Sequence, residues 1–101
     1  MAFVKICSAN EIALGSVKQF EHGSKAVAIA NVDGELYAIN GHCPHMQGPL
    51  GDGYLEGEVV TCPWHGAQFN VKSGKVLAEP AKENVACYKI KVENGDVLVD
   101  L

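Results

Sequence analysis

The sequence predicts an all-β domain, an antiparallel sandwich or small barrel with a small inserted subdomain. Short runs of β-branched and aromatic residues recur between clusters of Gly, Asn, Asp and Ser, and little of the chain has helical periodicity. Two dipeptides, Asp33–Gly34 and Asn94–Gly95, lie between strand-like runs, where they favour two-residue hairpin turns. With 101 residues the chain is long enough for one compact domain and too short for two, so we predict a single domain over residues 1–101.

The elements follow from the same patterns, taken in chain order. Ser8 and Glu11 fit a capping box that starts at most one helical turn. A short strand before Cys62 would return the chain alongside the segment that precedes it. The predicted strands are Phe3–Ile6, Val17–His22, Lys25–Val32, Glu35–Asn40, Val59–Thr61, Tyr88–Glu93 and Asp96–Leu101.

Charge and hydropathy exclude several classes of function. The formal net charge is -4, and all eight basic residues are lysines. Nucleic-acid binding requires clustered positive charge, and polybasic membrane attachment has the same requirement, so neither partner is expected. No apolar run approaches the ~20 residues that span a bilayer, and the N-terminus has no signal-peptide pattern. We therefore expect a cytoplasmic protein.

The segment from residue 41 to 57 has a different texture from the rest of the chain. It contains five of the eleven glycines and two of the four prolines, with few apolar residues spaced to form an element. A structureless loop of this length is unusual in a compact domain unless a metal or ligand organises it. This segment is predicted to be a long functional loop or a small inserted subdomain.

Two short motifs in and after this segment carry four metal-ligand side chains. Cys43 and His45 form Cys-x-His, and after sixteen intervening residues Cys62 and His65 form Cys-x-x-His. Thiolates and imidazoles are common ligands of zinc and iron. Both pairs lie at loop positions beside Gly or Pro, so two loop tips can face each other across one site. The candidate metal ligands are therefore Cys43, His45, Cys62 and His65, in loops within about residues 41–70.

This arrangement resembles the Rieske family, whose signature is Cys-x-His, a spacer and Cys-x-x-His. The resemblance covers nearly the whole chain, because further residues follow in the order typical of Rieske-type ferredoxins: Gly48, Pro49, Leu50, Gly66, Phe69, Asn70, Ser73, Gly74 and Pro80. It implies a Rieske-like β-sandwich or barrel with a small cluster-binding subdomain. It also implies one 2Fe-2S cluster, with the two cysteines on one iron and the two histidines on the other.

The resemblance further implies a function as an electron carrier. Free-standing Rieske ferredoxins shuttle single electrons from an NAD(P)H-dependent flavin reductase to the terminal oxygenase of an aromatic ring-hydroxylating dioxygenase. The expected partners are thus these two proteins, and the chain is not expected to be an enzyme by itself. Three alternatives remain: a small Rieske-fold subunit of an NAD(P)H nitrite reductase, a ferredoxin that serves another oxygenase, and a zinc-binding interaction domain. The one-residue gap between Cys43 and His45 is short for zinc ligands and argues against the last.

The residues around the predicted cluster favour a low reduction potential. High-potential Rieske proteins carry a Ser and a Tyr in the second loop, where this chain has Ala67 and Phe69. Hydrogen bonds from those hydroxyls to the cluster sulfurs raise the potential. The remaining cysteines, Cys7 and Cys87, lie on or beside predicted strands and are expected to behave as small buried hydrophobic residues.

Overall fold

The structure is a computed structural model that describes residues 3–42, 49–64, 66–78 and 83–100. These residues form three antiparallel sheets, so the all-β prediction is confirmed. No helix in the described part of the chain is long and apolar enough to cross a membrane. The strands are β1 Phe3–Ser8, β2 Val17–His22, β3 Lys25–Val32, β4 Glu35–Asn40, β5 Tyr54–Glu56, β6 Val59–Thr61, β7 Gln68–Asn70, β8 Val76–Ala78, β9 Cys87–Tyr88, β10 Ile90–Glu93 and β11 Asp96–Asp100.

We name the three sheets by their position. The terminal sheet has the order β1-β11-β10, the central sheet β2-β3-β4-β9, and the site sheet β5-β6-β7-β8. Two short 3-10 turns accompany them, Ala9–Glu11 after β1 and Leu50–Asp52 before β5. The first is the helical turn that the sequence predicts, and the Ser8 N–H donates to Glu11 Oε2 at 2.8 Å.

The two predicted hairpins are present. Asp33 and Gly34 connect β3 to β4 with φ of 53° and 94°, and Asn94 and Gly95 connect β10 to β11 with φ of 52° and 81°. Positive φ at both central residues is what a type I′ turn requires, and Asn, Asp and Gly tolerate it best. The turn residues therefore fix the register of both strand pairs.

One predicted strand, Tyr88–Glu93, is wrong as a single element. Cys87 and Tyr88 pair with β4 in the central sheet, whereas Ile90–Glu93 pairs with β11 in the terminal sheet. The chain changes sheets at Lys89, whose carbonyl oxygen accepts the Asp100 N–H at 2.9 Å. The residue alternation continues through this point, so the sequence carries no sign of the change.

Strand β3 is buried on both faces and separates two hydrophobic cores. Ala28 and Ala30 face the core shared with the site sheet, which we call the site core. Val27 and Ile29 face the core shared with the terminal sheet. Successive residues of a strand point to opposite faces, so the site sheet and the terminal sheet cover opposite sides of the central sheet. The site core holds Ala28, Ala30, Val32, Ile39, Leu50, Val60, Cys62, Ala67, Phe69, Val71 and Val85.

Candidate metal centre

Of the four predicted metal ligands, Cys62 lies within the described residues. Cys43, His45 and His65 lie outside them. No group of three or more His, Cys, Asp or Glu that could hold a metal occurs among the described residues. The ligand set therefore stays a prediction, and the described residues show what surrounds Cys62 and what holds the ends of the first loop.

The loop that carries Cys62 connects two paired strands, β6 and β7. The Cys62 N–H donates to the Ala67 carbonyl at 2.8 Å, and the Gly66 N–H donates to the Cys62 carbonyl at 3.1 Å. Gly66 has φ of 80°, a left-handed conformation that glycine adopts without steric cost. These two bonds close the loop at its base and fix the backbone of Cys62.

The Cys62 side chain stands on a packed base. Cys62 is 3% exposed, and Ala67 and Phe69 are fully buried in the same core. Its thiol is free of any disulfide. A buried free thiol at the start of a closed loop fits the donor chemistry of a metal cluster, since thiolate is the form that binds iron.

The two ends of the first predicted loop are held together. The Leu50 N–H donates to the Gly41 carbonyl at 2.9 Å, and His42 pairs with Pro49 as an isolated antiparallel bridge. The Gly41 N–H in turn donates to the Ala26 carbonyl of β3 at 2.9 Å. The two ends of the loop that contains Cys43 and His45 therefore lie next to each other, beside the central sheet.

The segment after the first loop packs directly against the strand that leads to Cys62. Leu50 is fully buried in the site core, together with Cys62. A Cβ atom at Gly53 would collide with the Thr61 carbonyl oxygen, so only glycine allows the two segments to approach this closely. The structure therefore brings the end of the first loop next to the start of the second, as the prediction of two facing loops requires.

The side chain of Gln19, on β2, also contacts the ends of the first loop. Its Nε2 donates to the Gly41 carbonyl at 3.0 Å, and its Oε1 accepts the Gly51 N–H at 2.8 Å. Sequence reasoning did not identify this residue. A polar side chain on a strand carries no motif, and its two partners are 22 and 32 residues away in the chain.

A polar network at the surface joins the site sheet to the central sheet. Glu58 Oε2 lies 3.4 Å from Lys72 Nζ, and Glu58 Oε1 accepts from Asn70 Nδ2 at 2.7 Å. Lys72 Nζ lies 5.6 Å from the ring centre of Tyr37, whose hydroxyl donates to Glu35 at 2.7 Å. The hydrogen bond from Asn70 and the charge of Lys72 lower the pKa of Glu58.

The two cysteines outside the predicted ligand set differ from each other. Cys7 is buried, as predicted, and burial and the nearby charge of Glu11 raise its pKa from 9.0 to about 11. Cys87 is exposed, so its prediction as a buried hydrophobic residue is wrong. It lies in the two-residue strand at the edge of the central sheet, where its Sγ donates to the Lys72 carbonyl at 3.4 Å.

Trp64 follows Cys62 by two residues and is 55% exposed. An indole at this position could shield the predicted cluster from water or pack beneath the loops. An indole with half of its surface in solvent does not belong to the packed base formed by Ala67 and Phe69. It instead presents a large aromatic surface to solvent beside a predicted ligand.

Comparison with known proteins places the chain in a family. The sequence model described as "Rieske [2Fe-2S] domain" matches residues 2–89. The chain is 43% identical over 101 residues to the biphenyl 2,3-dioxygenase ferredoxin component of Rhodococcus jostii, covering 100% of this chain and 94% of that protein.

Two solved structures are also similar along nearly the full length. The Sphingomonas yanoikuyae B1 ferredoxin superposes with a TM-score of 0.91 at 29% identity, covering 99% of both chains. A chain in the complex of reduced oxygenase and oxidized ferredoxin in carbazole 1,9a-dioxygenase gives a TM-score of 0.89 at 30% identity, covering 96% of this chain and 91% of that one. The family match, the full-length relatives and the arrangement around Cys62 lead to one conclusion: this chain belongs to the Rieske 2Fe-2S domain family, as the motif resemblance implied.

Proposed function

We propose that this protein is the electron-carrying ferredoxin of an aromatic ring-hydroxylating dioxygenase system. The observation that carries the proposal is the full-length similarity to a ferredoxin component at 43% identity. The similarity covers 100% of this chain and 94% of that ferredoxin component. The chain would carry electrons between proteins and would not itself transform a substrate.

Cys43, His45, Cys62 and His65 are proposed to hold the cluster. The support is the free, buried Cys62 thiol, the closed loop that positions it and the proximity of the two loop bases. When bound, a Rieske 2Fe-2S cluster exchanges one electron at a potential between about -150 and +300 mV. Cys62 is kept out of bulk water, because it is 3% exposed and packs in the site core with the fully buried Ala67 and Phe69.

The proposed partners are an NAD(P)H-dependent flavin reductase, which gives the electron, and the terminal oxygenase, which takes it. The similarity to a chain in an oxygenase–ferredoxin complex supports the second partner. We propose that both dock on the end of the molecule where His45 and His65 belong. The exposed Trp64 indole supports this choice, because large aromatic side chains are frequent anchors in protein interfaces. One shared face means that the two partners compete.

A cytoplasmic location is part of the same proposal.

The ligand set is tested first, with matched controls from the same chain. Cys62→Ser and His65→Ala are expected to abolish the Rieske EPR signal of the dithionite-reduced protein, whose average g value lies below that of an all-cysteine cluster. Cys87→Ser and His22→Ala change an exposed cysteine and an exposed histidine, and both are expected to keep the signal. A colourless, zinc-loaded protein without an EPR signal would contradict the electron-carrier function.

Electron delivery is tested next with purified components. The reduced protein is mixed with a terminal oxygenase of the biphenyl type, and reoxidation is followed by absorbance. We expect reoxidation to slow when excess reductase is added, since the partners share one face. A stable ternary complex would contradict the shared face, and no electron transfer to any ring-hydroxylating oxygenase would favour the nitrite reductase subunit.

A further inference from the structure

The Gln19 side chain makes a two-sided contact with the ends of the first loop. Its amide donates one hydrogen bond to the Gly41 carbonyl, before the loop, and accepts one from the Gly51 N–H, after it. One primary amide thus uses its donor and its acceptor on two points of the main chain that are ten residues apart in sequence. Gln19 is half-buried, so both bonds lie partly out of competition with water.

The glycines at these two points make the contact possible. A Cβ atom at Gly41 would lie 2.5 Å from Gln19 Nε2, and a Cβ atom at Gly51 would collide with the backbone of Gln19. A larger residue at Gly51 would therefore push this end of the loop away from β2, and a larger residue at Gly41 would displace the Gln19 amide. The Gln19 side chain and both main-chain segments pack so closely that no space is left between them for a Cβ atom.

We propose that Gln19 is a positioning residue of the metal centre. By tying Gly41 and Gly51 to β2, it fixes both ends of the segment that carries Cys43 and His45, relative to the Cys62 loop that packs on the same core. The inference rests on the proposed function, since it concerns how the first ligand pair is held. It extends that function to a residue far from the ligands in sequence.

A second amide in the chain offers a matched control. Asn31, on the neighbouring strand β3, donates from Nδ2 to the Ile12 carbonyl at 3.0 Å and accepts the Gly34 N–H on Oδ1 at 2.9 Å. It is also half-buried and also bridges two main-chain segments. Its partners belong to the β3–β4 turn and to the segment before β2, not to the predicted ligand loops. Replacing Gln19 or Asn31 by leucine would lower the stability of the fold in both cases. Only the replacement of Gln19 would also affect the metal centre.

The experiment compares Gln19→Leu, Gln19→Glu and Asn31→Leu with the unsubstituted holoprotein. Cluster loss in excess chelator is followed by visible absorbance, the reduction potential by titration, and the g values by EPR. Unfolding temperatures are measured in parallel, so that stability and cluster properties are compared separately.

Gln19→Leu is expected to lose the cluster about 10-fold faster, because two hydrogen bonds are removed, and to shift both the g values and the potential. Gln19→Glu keeps an acceptor for the Gly51 N–H but loses the donor to Gly41, so an intermediate effect is expected. Asn31→Leu is expected to lower the unfolding temperature and leave the g values and potential unchanged.

The proposal is overturned if Gln19→Leu keeps the g values and potential of the unsubstituted protein, or if Asn31→Leu changes them equally. If Gln19→Leu does not fold, Gln19→Glu decides by the same criteria. Failure of the proposed function is recognised separately, since the unsubstituted protein would then show no Rieske signal. In that case amide hydrogen exchange at Gly51 still tests the contact. Faster exchange in Gln19→Leu than in Asn31→Leu supports it, and equal exchange refutes it.

Discussion

Alkylation of the four cysteines, resolved by peptide mass spectrometry, tests the core and the metal centre together. The holoprotein is treated with iodoacetamide at mild alkaline pH, and a second sample is treated after the cluster has been removed by a chelator. The three cysteines within the described residues, Cys7, Cys62 and Cys87, differ in burial or in their predicted role, so each is expected to have its own labelling rate.

The magnitude for Cys7 follows from its environment. Burial and the charge of Glu11 raise its pKa from 9.0 to about 11. Because the thiolate is the reactive form, a shift from 9.0 to about 11 lowers the reactive fraction about 100-fold. Burial at 5% exposure also limits access of the reagent. We therefore expect Cys7 to be labelled at least about 100-fold more slowly than the exposed Cys87.

The two predicted cysteine ligands are expected to differ in labelling from both Cys7 and Cys87. Cys43 and Cys62 are expected to resist labelling in the holoprotein and to become labelled after the cluster is removed. Cys62, which is buried, then reacts through opening of its loop. Labelling of Cys7 within about tenfold of Cys87 would refute the reasoning about burial and pKa. Labelling of Cys62 in the holoprotein as fast as Cys87 would remove Cys62 from the ligand set.

Three further predictions concern packing, charge and potential. Phe69→Ala is expected to lower the free energy of unfolding by about 3–5 kcal/mol in urea denaturation, because Phe69 is fully buried in the site core; a loss below about 1 kcal/mol would contradict that packing. The pKa of Glu58 is lowered by Asn70 and Lys72, so its carboxylate stabilises the fold above its ordinary pKa of 4.5 and less as the pH falls through its lower folded-state value. The unfolding temperature of Glu58→Gln should therefore lie below that of the unsubstituted protein at neutral pH and converge with it as the pH falls below the lowered pKa of Glu58, and a constant gap would count against the network. Redox titration is expected to give a potential in the low part of the Rieske range, since buried Ala67 and Phe69 offer no hydroxyl to the cluster, and a value above about +100 mV would be inconsistent with this.

The larger strands and the hairpins were predictable because their signals are local. Val17–His22, Lys25–Val32 and Glu35–Asn40 have the predicted bounds, and the Asp33–Gly34 and Asn94–Gly95 turns have the positive φ that their residues favour. The strands β5, β7 and β8 were missed. Each has three residues, too few for a periodic pattern, and pairing within the site sheet and packing on the central sheet stabilise them.

The candidate metal ligands were predictable because cysteine and histidine at this spacing are recognisable from residue type alone. Cys62 was identified from its spacing to the other candidate ligands, but its burial depends on Leu50 and Phe69, which reach it through the fold. Gln19 and the exposure of Cys87 depend on contacts with segments distant in sequence. Such contacts leave no local pattern, so only the structure reveals them.

The side chains on the two faces of β3 differ in size, and this difference sets how closely the site sheet packs against the central sheet. Toward the site core this strand presents Ala28, Ala30 and, at its last residue, Val32, and toward the opposite core it presents the larger Val27 and Ile29. Small side chains let Phe69 and its neighbours lie close to the middle strand of the molecule. Larger side chains on the alanine face would push the site sheet and both loop bases outward. Larger side chains on the other face would strain the packing against the terminal sheet, which contains none of the four predicted metal ligands. Larger side chains are therefore expected to disturb the metal centre when they are introduced on the site-core face of β3, and to disturb it less on the opposite face.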